Sequence, residues 1–174
     1  AAAAAGGLDK AATSALVESW KTIATTSFNL GGLIGTLLTI PIAKRLGRRP
    51  MFAIYFGVSA LALMATFGLD LPEETRLYLY FFIGLSVFGV FGSFTYYLPE
   101  LYPTRLRATG AGFCYNIGRV VAATGPFVVG SVAAAGAGSP AVILNALFAV
   151  AFVPLLGLLF IPLVVETRGQ TLPA

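Results

Sequence analysis

The segment PELYPTRLR, residues 99–107, gathers Glu100, Arg105 and Arg107 between two long apolar runs of a chain in which only 10% of residues are charged. A carboxylate beside guanidinium groups can move a proton in catalysis, form an ion pair that opens and closes, or anchor a helix end in water. Catalysis asks for more: a nucleophile with a neighbouring base, or paired carboxylates at depth. The chain has no histidine, and its acidic residues all fall near the ends of apolar runs. No catalytic residue is expected, and the protein is not read as an enzyme. Cys114 is the single cysteine and sits inside an apolar run, which excludes a disulfide framework and a Cys/His metal site. No metal or other cofactor is expected. Asn29, Asn116 and Arg119 are different, because they interrupt apolar runs. Polar and charged groups at membrane depth are costly to keep, and this favours a functional role for them.

These residues need a scaffold, and composition dictates its kind. Of 174 residues, 57% are hydrophobic, and the charged share is far below the roughly 25% of a soluble domain. Lipid must be the solvent. Five stretches are long enough to cross it as helices: 22–43, 51–70, 77–98, 109–134 and 141–165. KRLGRRP, DLPEETR, PELYPTRLR and GAGSP separate them, each with the charge, proline or glycine of a turn. The runs are too long and too uniformly apolar for barrel strands. Residues 1–21 are mixed in polarity and are expected to form an extracytoplasmic loop, with 166–174 a cytoplasmic tail. The chain lacks an initial methionine and shows no signal peptide, so it reads as a fragment.

The net charge of +4 does not point to nucleic acid, because the basic residues lie in short clusters between spans. Lys44, Arg45, Arg48, Arg49, Arg105, Arg107 and Arg168 fall on one side. Lys10, Lys21 and Arg76 fall on the other, and Arg119 lies within the fourth run. Positive charge favours the cytoplasm, which places the amino end outside and the carboxyl end inside a cell membrane.

Helical spacing sorts the spans. Thr22, Thr25, Asn29, Gly32, Thr36 and Thr39 share one face of the first. Gly84, Phe88, Phe91, Gly92 and Thr95 do so in the third, and Gly112, Tyr115, Asn116, Arg119 and Pro126 in the fourth. The second and fifth lack such a stripe and read as lipid-facing scaffold. Three striped helices suggest a water-accessible path. The other reading of the small residues, as at Gly31 and Gly35, is close helix packing.

Three motifs occur in a telling order. KRLGRRP at 44–50 resembles the D-R-x-G-R-[RK] loop of the major facilitator superfamily. Glu100 and Arg107 resemble its E-x6-R motif, and VETRG at 165–169 resembles P-E-T-[KR]-G. The set is similar to helices eight to twelve of the sugar-porter and organic-acid symporter branches. Lys44 stands where that loop motif has an aspartate, and Val165 where the tail motif has a proline.

The resemblance implies an all-α membrane protein: five transmembrane helices over 22–165, part of a six-helix half-bundle whose amino-terminal partner half is missing. It implies alternating access for a small organic solute, a sugar or an organic or aromatic acid. Proton coupling is the usual mode. No GxxxxGK[ST] phosphate loop is present, so this chain does not drive transport with ATP. Substrate contacts are expected from Asn29, Thr36, Phe88, Phe91, Thr95, Asn116 and Arg119. Arg119 reads equally as a fork donor to a carboxylate or as a structural residue, in an ion pair with Glu100 or snorkelling towards the cytoplasm. Arg48, Arg49, Glu100, Arg107 and Glu166 are expected to form a cytoplasmic gate of exposed, individually weak ion pairs. A small channel or scaffold protein without solute coupling is the alternative.

Overall fold

In hydrocarbon every backbone N–H and C=O must be satisfied within the segment, and each of the five apolar runs does this as helix. The computed structural model describes residues 10–136 and 139–171. Helix α1 is Lys10–Leu46, α2 is Arg48–Gly68 and α3 is Glu73–Glu100. The fourth span comprises α4, Arg107–Ala122, and α5, Thr124–Ala135. The fifth comprises α6, Pro140–Val150, α7, Phe152–Leu159, and a 3-10 turn, Ile161–Leu163. All five are long and apolar enough to cross a membrane. No strand occurs among the described residues.

One boundary and the continuity of two spans differ from expectation. Residues 10–21, expected as loop, are the first turns of α1; residues 1–9 lie outside the described set. That stretch is polar but holds no glycine or proline and is rich in alanine, so helix is its cheapest backbone. An i,i+3 pair, Lys21 to Glu18 at 2.7 Å, sits on it. The fourth and fifth spans are each broken, at Ala123 and Ala151. Pro126 and Pro154 follow the last residues of α4 and α6 by four. Each removes the N–H that would bond that residue's carbonyl and crowds it with a ring. Pro41, by contrast, stays inside α1.

Packing centres on three helices. The most extensive interface joins α1 to α3, where Gly31 and Gly35 meet the backbone of Phe81 and Leu85, and Gly84 meets that of Phe28. No Cβ fits at these points. The buried cluster is Ala43, Met51, Phe52, Tyr55 and Tyr97, and α2 supplies most of it. The second span is therefore not mainly a lipid-facing element: it is the most enclosed of the five, wedged against α3 on one side and α6 and α7 on another. The fourth span has no buried residue. Within the described residues, α4 touches α3 and α5 touches α6, while α1 and α4 do not meet. Both α1 and α4 thus pack on α3 without touching each other.

Candidate functional site

At the basic end of the bundle, a single residue links α1 to α2. Gly47 adopts φ +102°, a left-handed backbone that residues with a side chain rarely hold. The turn aims the first amides of α2 outward, and such amides need an acceptor. Glu166 provides it. Its Oε1 accepts the Arg48 N–H at 2.9 Å and its Oε2 the Arg49 N–H at 3.0 Å, while the Arg168 N–H adds a third bond to Oε1 at 3.0 Å. Burial pushes this carboxyl up, but the three backbone donors and the nearby Arg48 charge outweigh it and hold it below the usual carboxylate range.

The Arg48 side chain turns the other way. Its Nη2 donates to Glu100 Oε1 at 2.5 Å and its Nε to Glu100 Oε2 at 3.1 Å, a two-pronged pair. Its Nη1 reaches Ala43 O at 3.4 Å, and its guanidinium lies 5.8 Å from the Tyr96 ring centre. Thr167 donates to Glu100 Oε2 at 2.5 Å. Arg49 Nε donates to Val164 O at 2.6 Å. Tyr97 OH donates to Val165 O at 3.2 Å and accepts the Val165 N–H at 3.1 Å. The tail at 164–168 thus straps the start of α2 to the end of α3.

Four of the five expected gate residues meet here. The fifth, Arg107, donates to Tyr102 O at 3.4 Å across the turn before α4, and Glu100 takes Arg48 as its ion partner. The pair is also less exposed than expected, with side chains 14% and 17% accessible. Thr167, Tyr96 and Tyr97 were missed. Their residue types carry no charge signal, and only the folded tail brings Thr167 to Glu100.

The other expected set lies on α1, α3 and α4. Thr36 donates to Phe88 O at 3.3 Å, and Gly32 leaves room for the Phe88 ring, which meets Phe28 edge-on at 5.4 Å. Phe88 and Phe91 remain more than a third exposed. Phe91 contacts Tyr115 edge-on at 6.5 Å across to α4, and the Arg119 guanidinium lies 5.8 Å from the Tyr115 ring centre. Asn29, Thr95, Asn116 and Arg119 are exposed. Thr95 bonds Gly92 O at 2.7 Å, and Asn116 Nδ2 bonds Gly112 O at 2.8 Å. The expected alternative for Arg119, pairing with Glu100, is not formed. Twelve residues of helix, about 18 Å, separate Arg119 from Arg107 at the basic end, and Glu100 is already bound to Arg48.

The family model of the Major Facilitator Superfamily matches residues 8–174. The chain belongs to that superfamily. A Haemophilus influenzae protein bearing the name of a metabolite transport protein is 32% identical over 142 residues, covering 82% of this chain and 34% of that protein. A Cupriavidus pinatubonensis protein named as a 4-methylmuconolactone transporter is 37% identical over 95 residues, covering 53% of this chain and 22% of that protein. The synaptic vesicle 2-related protein of Rattus norvegicus is 33% identical over 94 residues, covering 54% and 17%. The chain therefore spans about a third or less of the length of these relatives. Superfamily membership and five apolar helices make it part of a membrane protein.

Proposed function

We propose that this chain supplies helices eight to twelve of a secondary transporter that moves a small organic solute by alternating access, with the amino-terminal half of the same protein facing a groove that α3 floors and α1 and α4 wall. One juxtaposition carries the reading: the same helix, α3, floors an open polar and aromatic groove and ends in a tied cluster of charge. A solute path needs the first, and a two-state gate needs an element such as the second. Relatives named for transport of a metabolite and of 4-methylmuconolactone support the class.

Within the groove, Phe88, Phe91 and Tyr115 offer ring faces, Asn29, Thr36, Thr95 and Asn116 offer hydrogen bonds, and Arg119 offers a fork to a carboxylate. An organic acid with an unsaturated or aromatic body fits that set better than a neutral sugar. The groove-lining residues named here include no carboxylate, so proton coupling would use one in the amino-terminal half. The basic end faces the cytoplasm by its charge, and the clasp around Glu100 closes that side.

Uptake of a panel of organic acids and sugars into vesicles holding the whole protein tests this. Saturable acid uptake, abolished by a protonophore and raised at least tenfold in KM by Arg119→Gln, is the expected result. Ion flux without saturable solute uptake would replace the reading with a channel.

A further inference from the structure

We infer that Gly32 determines the size of solute accepted by the path proposed above: having no side chain, it fixes where the Phe88 ring stands. The specificity role rests on that functional reading, whereas the seating of the ring does not. Phe28, Gly32 and Thr36 recur every four residues and so share one face of α1. Phe88 on α3 meets all three. Its ring packs edge-on against Phe28 at 5.4 Å between centres, and its carbonyl oxygen accepts the Thr36 hydroxyl at 3.3 Å. Between those two contacts Gly32 is buried. A Cβ built there would stand 2.5 Å from Phe88 Cδ2, 3.0 Å from Cγ and 3.2 Å from Cε2. The ring fills the space that a side chain at 32 would need.

Gly32 differs in kind from its neighbours. At Gly31, Gly35 and Gly84 the facing atoms are main chain, so an added methyl would part the helices. At Gly32 they belong to a single ring, which can move while the helices stay. Turning the ring about its own axis shifts Cδ2 and Cε2 but leaves Cγ in place, so relief requires a change in χ1. A helix allows phenylalanine two χ1 wells, near 180° and −60°, and the ring must pass to the other one, away from α1. On that side lies the floor of the proposed path, where Phe91 reaches Tyr115 of α4 at 6.5 Å. A ring swung onto the floor takes room first from a solute with a bulky unsaturated or aromatic body. A small acid can do without that room.

The experiment is uptake of benzoate and of acetate by vesicles holding the whole protein, as wild type, Gly32→Ala, Phe88→Ala and the double variant. Gly32→Ala raises the ratio of benzoate KM to acetate KM about tenfold, the low end of what a methylene-sized misfit costs in a pocket. In the Phe88→Ala background the same substitution changes that ratio less than about twofold, because no ring remains to displace. An unchanged ratio in Gly32→Ala overturns the specificity role, and an equal rise in both backgrounds shows that the ring does not carry it. Melting of the four proteins without solute reads the seating alone. Gly32→Ala lowers Tm in the wild-type background, and leaves or raises it in Phe88→Ala, where only helix propensity changes. Equal lowering in both overturns the seating. Should Gly32→Ala fold poorly, recovery of folded yield in the double variant supports the seating, and no recovery overturns it. Saturable uptake of neither acid by wild type overturns the solute reading and the specificity role together, and leaves the melting result to stand by itself.

Discussion

The carboxylate of Glu166 lies where a side chain on Gly47 would have to be: a Cβ added to Gly47 falls 2.6 Å from Glu166 Oε2. The glycine's positive φ turns the chain into α2, and its missing side chain admits the acid that caps that helix. Two sequence-distant residues thus share one requirement. Gly47→Ala meets both penalties, the left-handed backbone and the displaced carboxylate. The expected loss is about 2–3 kcal/mol, seen as a lower melting temperature of the purified protein. In a Glu166→Ala background the same substitution should cost less, because only the backbone strain remains. Equal costs in both backgrounds would show that the cap is not linked to Gly47.

The cap also sets a pH dependence. Glu166 titrates below the ordinary carboxylate range in the folded protein, so its charged form is favoured by folding. That contribution is fully present above the unfolded value of about 4.3 and fades as pH falls through the lower folded value. Melting curves of wild type and Glu166→Gln should therefore differ at neutral pH and converge in acid. A gap that persists below the folded value would assign the effect to packing instead.

Glu100 and Arg48 form an ion pair at the basic end. The pair is two-pronged and largely covered, so removing one partner should cost more than an exposed pair and less than a fully buried one, about 1–3 kcal/mol. Glu100→Gln should insert normally and yet alter uptake by vesicles. Arg48→Lys keeps the charge but loses the fork, and should resemble Glu100→Gln more closely than wild type. Wild-type uptake by correctly inserted Glu100→Gln protein would rule out a gating role.

Alanine at Gly31, Gly35 or Gly84 would drive a methyl into the facing backbone of the α1–α3 interface. Main chain cannot swing aside as a side-chain tip can. Each substitution should cut the yield of folded protein in detergent several-fold. Gly57, where an added Cβ would meet no atom within 4 Å, should accept alanine with a small gain from helix propensity. Similar yields for all four would refute close backbone packing.

Much of this architecture was legible because hydrocarbon imposes one rule: long apolar runs must be helices. The five spans, their turns and the clustering of basic residues at one end needed nothing beyond residue type and spacing. Glycine, threonine and aromatic stripes set the first, third and fourth spans apart, and Thr36, Phe88 and Phe91 make contacts among α1, α3 and α4. Local composition misled for the second span, whose unstriped apolar run proved the most enclosed of the five, and where it was ambiguous. The polar start of α1 has the polarity of a loop but the helix propensity of its alanines, and the second prevails. Pro126 and Pro154 break spans whose hydropathy is continuous.

Pairing was another matter. The motifs place five charged residues in one network without saying which pairs form; Glu100 bonds Arg48, 52 residues away in sequence, and Arg107 donates to Tyr102 O. Glu166 has the charge of an ion-network member, but it acts first as a helix cap, through backbone amides that no residue type announces. Thr167 and Tyr97 join only because the tail folds back across α2 and α3. Sequence determines which segments enter lipid, since that depends on each segment's own transfer energy. Which charge meets which depends on helix ends brought together by packing, and only the tertiary structure decided it.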